Sequence, residues 1–95
     1  MTSRISTKPE IAAERTVAHI PLFKVLLHND DRNTMEHVVK TIMKVFRFDA
    51  TESERIMLEA HRTGVALCII EPLEQAELHR DQLRSSSLIA TLEAA

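Results

Sequence analysis

The sequence has no Trp, no Tyr and a single Gly. With three Phe as its only aromatics of that class, it offers few faces on which nucleic-acid bases could stack. One glycine cannot build a Gly-rich loop that brings backbone N–H groups against phosphate, which excludes the common nucleotide-cradling enzymes. The lone Cys68 cannot close an intramolecular disulfide. Its place inside VALCII reads as a small buried hydrophobe. Basic excess is missing too, since 12 Lys and Arg face 14 Asp and Glu for a formal net charge of -2. That balance excludes the basic stripe of a general nucleic-acid binder. No apolar run approaches the roughly 18 residues of a membrane-spanning helix. The opening MTSRISTKPEIAAERT also lacks the apolar stretch of a signal peptide. A cytoplasmic protein is the expectation.

What is present is the composition of one globular domain: 95 residues, 44% hydrophobic and 27% charged. Residues 1–21, with Pro9 and Pro21 and no sustained apolar period, predict a flexible N-terminal extension. Residues 22–95 are expected to form the core. LFKVLL, from Leu22, is long enough for a strand and too short for a buried helix. HNDDRNT then reads as a turn followed by a helix start. From Met35 the apolar residues fall at 35, 38, 39, 42, 43 and 46, which predicts a helix with one buried face, ending near Arg47. Asn33, three residues before Glu36, is its expected N-cap. Thr51 and Glu54 form a capping box for a second helix. That helix carries Ile56, Met57 and Ala60 on one side, with Leu58 on the flank, and stops at a left-handed Gly64.

VALCII (65–70) is a continuous apolar run that reads as a central strand. Pro72 suits the first turn of a third helix, with Leu73, Ala76, Leu83 and, more weakly, Leu78 directed inward. RSSS ends that helix and LIATLEAA supplies a last short strand. The order is β-α-α-β-α-β, an α+β sandwich of three helices on a three-stranded antiparallel sheet.

Most polar residues need no special role. Lys44, Glu59, Arg62 and Glu77 read as solvated helix faces, and His37 and His79 as surface histidines. The exception is His28-Asn29-Asp30-Asp31 at the carboxyl end of the first strand. Spacing leaves two readings open there: good turn and cap residues, or side chains converging on a ligand. His28, Asp30, Asp31 and His61 have metal-ligating chemistry, but no H-x-x-x-H or paired-Cys spacing supports a site. Ser85, Ser86, Ser87 and Cys68 lack an activating partner for nucleophilic catalysis.

KVLLHNDDRNTMEHVV, then IMLEAHRTG, then the strand with Cys68 and the closing LIATLEAA resemble the ClpS family, adaptors of the Clp protease that deliver N-degron substrates. The resemblance spans residues 22–95. It implies a fold like the C-terminal domain of the ribosomal stalk protein. It also implies recognition without chemistry: no catalytic residue, no cofactor and no metal. Carried over residue by residue, Asn29, Asp31 and His61 match positions that hold a substrate's α-amine, with Asp30 supporting or sharing that role. Met35, Val38, Met57, Ala60 and Leu88 match the pocket for a bulky first side chain: Leu, Phe, Tyr or Trp. Met35 resembles the residue that turns away β-branched side chains.

The implied partners are a Clp-type AAA+ unfoldase of the ClpA or ClpC kind and proteins with a free bulky hydrophobic N-terminal residue. Neither nucleic acid nor membrane is implied. The extension of residues 1–21 would take part in delivery. Several positions depart from the family's common NDDYTPMEF, since this chain reads NDDRNTMEH. Arg32 stands for an aromatic, Asn33 for a threonine and Thr34 for a proline. Ala60 stands where Val is common, which implies a roomier pocket, and the third helix is short. Two rival readings are a stalk-like structural or interaction module without an amine pocket, and a small metal-binding or hydrolytic protein.

Overall fold

The computed structural model describes residues 20–95; the extension expected over 1–21 therefore lies almost wholly outside the described residues. The elements are β1 (Leu22–His28), α1 (Met35–Phe46), α2 (Ala50–Thr63), β2 (Val65–Pro72), α3 (Leu73–Ser85) and β3 (Ile89–Ala94). They realise the expected β-α-α-β-α-β order. The three strands form one antiparallel sheet in the order β2-β1-β3; the three helices cover it, α2 and α3 lying directly on the strands and α1 against those two helices, with Ile42 of α1 in the shared core.

The central strand is β1, not β2. VALCII reads as central because it is apolar throughout, yet it occupies an edge and alternates. Ala66 and Cys68 are buried, while Val65 and Leu67 are exposed. Pairing shifts register between Val25 and Leu26, whose partners are Ile69 and Leu67. Cys68 is thus the extra residue of a β-bulge, directed at the core. Burial pushes its thiol up to about 12.

Val25 and Leu27 of β1 meet Ile42 of α1, Ile56 of α2 and Leu83 of α3 in the core. Burying each such side chain stabilises the fold by roughly 1.5–3 kcal/mol. On α3 only Ala76 and Leu83 are buried; Leu73 and Leu78 are exposed. The apolar side of α3 is narrower than its leucine count suggests.

Both expected caps move. Thr34, not Asn33, caps α1, its hydroxyl accepting from the His37 N–H at 3.1 Å. Asp49, not Thr51, caps α2 by accepting from the Glu52 N–H at 2.8 Å. In each case the cap is the residue just before the first helical one, Met35 or Ala50, and Thr51 already lies inside α2. Gly64 ends α2 with φ 93° and donates to the Ala60 carbonyl, as expected. Arg47 (φ 60°) and Ser87 (φ 70°) adopt the left-handed region without being glycine. Pro72 is the last residue of β2 and the N-cap of α3, so it precedes the first turn.

His79 is not a surface histidine. Its Nδ1 lies 2.6 Å from a Glu71 carboxylate oxygen, and Glu71 is only 8% exposed. The Phe46 ring lies 4.9 Å from the imidazole, centroid to centroid. Among the described residues, no helix is long and apolar enough to cross a membrane.

Candidate functional site

The site begins where β1 runs out. Past His28, the Asn29 N–H donates to the Gly64 carbonyl at 3.0 Å. This one backbone bond sets the end of the central strand beside the end of α2. His61 lies one turn before Gly64 on that helix, so Asn29 and His61 become neighbours despite their distance in sequence.

The next residues form a turn held by one carboxylate. Asp30 Oδ1 accepts from the Arg32 N–H at 2.9 Å and the Asn33 N–H at 2.8 Å, an Asx-type arrangement. The Asn33 amide donates to both Asp30 oxygens at 3.1 Å and to the Ser87 carbonyl at 2.9 Å. Asn33 is drawn off from capping α1 by these contacts. Burial alone would raise the Asp30 pKa. The Asn33 backbone and side-chain hydrogen bonds, with the Arg32 N–H and charge, outweigh it and hold Asp30 below its ordinary 3.8. His37 reinforces the same junction, its Nε2 donating to the Ser86 carbonyl at 2.8 Å; a carbonyl only accepts, so Nε2 carries the proton.

Asp31 differs in every respect. It is exposed, and among the described residues no hydrogen bond occupies its carboxylate, nor the side chains of Asn29 or His61. His28 is engaged, with Nε2 2.7 Å from the Thr91 hydroxyl across the sheet.

These groups border a cavity of about 210 Å³. Part of the lining is polar: His28, Asn29, Asp30, Asp31, Asn33 and His61. The rest is apolar: Leu27, Met35, Val38, Met57 and Ala60. Met35 stands 48% exposed at the rim, while Met57 and Ala60 are buried beneath it. Of the nine residues named from the sequence, eight line this cavity. Leu88 does not: it is 4% exposed and belongs to the core.

Three lining residues were not named. Leu27 had a readable signal, as an inward position one residue before the strand's end. His28 was noticed only as part of the polar cluster. Asn33 was assigned to the helix cap. Among the described residues no three His, Cys, Asp or Glu side chains gather as a metal site.

A cavity lined both by open carboxylate and amide oxygens and by methionine and valine matches a cationic head joined to an apolar body. A protonated amine presents three donors, and each charge-assisted hydrogen bond contributes roughly 1.5–3 kcal/mol.

Known proteins resemble this chain over a span that includes the cavity. The profile of the family described as ATP-dependent Clp protease adaptor protein ClpS matches residues 18–91. A ClpS adapter of Gloeobacter violaceus is 43% identical over 75 residues, covering 78% of this chain and 81% of that protein. One from Synechococcus elongatus is 41% identical over 87 residues, covering 90% of each. Among solved structures, ClpS2 of Agrobacterium tumefaciens bound to L-phenylalaninamide superposes with a TM-score of 0.72 at 29% identity. It covers 81% of this chain and 100% of that one.

Proposed function

Since the chain belongs to the ClpS family of ATP-dependent Clp protease adaptor proteins, we propose that its cavity between β1 and α2 is where it reads the first residue of a substrate. The protein is an adaptor and not an enzyme. It recognises N-degrons and delivers the proteins bearing them to a Clp AAA+ protease. L-phenylalaninamide, the ligand of the Agrobacterium relative, has the chemistry this cavity suits: a free α-amine and a bulky apolar side chain.

The observation that carries the reading is that one cavity is lined both by polar acceptors and by apolar side chains. In this assignment Asn29, Asp31 and His61 receive the amine. Asp30 lends negative charge while its oxygens hold the turn, a division supported by four hydrogen bonds on Asp30 and the open carboxylate of Asp31. Met35, Val38, Met57 and Ala60 enclose the side chain, and Leu88 supports them from the core. Met35 at the rim discriminates by shape, admitting Leu, Phe, Tyr and Trp and crowding the branched Cβ of Ile or Val. The unfoldase is assigned to the ClpA or ClpC kind, with the work done in the cytoplasm. Residues 22–95 are the binding core, and residues 1–21 serve delivery.

The test is fluorescence anisotropy with short peptides beginning in Leu, Phe, Tyr, Trp or Ile, each free and N-acetylated. Acetylation removes the charge and two of the three donors, so it weakens binding by at least about a hundredfold, the worth of two charge-assisted bonds. Equal binding of free and acetylated peptides overturns the reading. Absence of binding to any of them favours a stalk-like module that uses the fold without the cavity.

A further inference from the structure

The apolar positions of α1 are more numerous than the core needs. Ile42 is buried and Val38, Val39, Val45 and Phe46 pack against the core; Met35 and Met43 extend Val39 into a second row at i, i+4 and i+8. This row faces Leu58 and Met57 of α2 across a groove of about 440 Å³. Glu36, Lys40 and Glu54 complete the lining, the first two paired with each other at 2.9 Å. The groove and the amine cavity share Met35 and Met57. The two residues form a common wall, so whatever leaves the cavity over Met35 meets the groove next.

We propose that this groove is a second subsite, which takes an apolar side chain from the residues immediately following the first residue of the substrate. The proposal rests on the first-residue reading above. Dimensions support it. Met35 to Met43 is just over two helical turns, about 12 Å along the axis. An extended segment covers that distance in about four residues at roughly 3.3 Å each. The groove is therefore long enough for the second through fourth residues, of which alternate side chains face it. Methionine lining suits such a site, because flexible thioethers accommodate side chains of different shape. The adaptor then reads a short apolar pattern rather than one residue.

Methyl NMR on the full chain labelled at its methionine methyl groups tests this directly. L-phenylalaninamide fills only the first cavity and is expected to shift Met35 and Met57 while leaving Met43 unchanged. A peptide with Phe first and Leu second, third or fourth shifts Met43 as well at one or more of those positions. The same Leu tightens binding by about fivefold over Ser, a partial leucine burial. In Met43→Ser that fivefold preference disappears, while the difference between free and acetylated amines persists. A Met43 signal unmoved by every such peptide overturns the subsite. So does a Met43 signal that moves only with protein concentration, which marks the groove as a contact between two copies. If phenylalaninamide shifts neither Met35 nor Met57, the first-residue reading fails instead.

Discussion

The two ends of the sheet each bring a histidine to a carboxylate, and they do opposite things with it. At one end Glu71 of β2 and His79 of α3 lie 2.6 Å apart, both largely buried, with Phe46 of α1 closing over the imidazole. Every partner comes from the protein. At the other end His61 and Asp31 border a cavity with no hydrogen bond on either side chain among the described residues. The turn beneath them is braced by Asp30, Asn33 and the Ser87 carbonyl. The closed end holds together three elements that meet nowhere else in that way. The open end leaves its acceptors exposed to solvent, where water can be exchanged for a ligand. Similar residue types thus serve cohesion in one place and recognition in the other, and accessibility decides which.

Substitutions can separate the two ends. The largest effect on stability is expected from His79→Ala, which leaves the Glu71 carboxylate buried and unpaired and strips a ring from Phe46. The loss is about 3 kcal/mol in urea unfolding, with peptide affinity in the folded fraction unchanged. If affinity falls as well, the ends are coupled and the contrast is wrong.

Asp31→Ala is the mirror case. It removes an unoccupied acceptor, so affinity for a Phe-first peptide drops by about ten- to a hundredfold, while stability stays within about 0.5 kcal/mol of the parent.

Asp30→Asn sharpens the division between the two neighbouring aspartates. Because Asp30 is held below its ordinary 3.8, its contribution is full above that value and is lost as pH falls through the lower folded value. The variant is therefore expected to be less stable by about 1 kcal/mol at pH 7. The gap to the parent should close when both are unfolded at a pH well below 3.8. A gap independent of pH would mean that the turn does not depend on the charge.

The smallest effect belongs to Arg47→Gly, near the closed end. Its φ of 60° suits glycine, and the change raises the melting midpoint by the equivalent of about 0.5–1 kcal/mol with binding untouched.

Much of this arrangement is legible in the sequence because it is local. Apolar spacing marks α1, the lone glycine ends α2, and the His-Asn-Asp-Asp cluster at a strand end marks the polar part of the cavity. What escapes reading depends on contacts between distant segments. Asn33 has good cap chemistry, but the Ser87 carbonyl, from the far side of the chain, captures its amide. His79 looks solvated on its own helix, yet Glu71 and Phe46 arrive from other elements. The edge position of β2 follows from where β3 joins the sheet, and six apolar residues in a row carry no trace of it. Leu88 shares the apolar character of the pocket residues. It packs in the same core cluster as Met57 and Ala60, which do line the cavity.

The bulge at Cys68 has a practical consequence. A thiol held near 12 and 7% exposed carries almost no thiolate at neutral pH, so alkylating reagents and mild oxidants pass the native chain by. Its single cysteine becomes reactive when the sheet opens, which turns a one-step labelling reaction into a clock for unfolding.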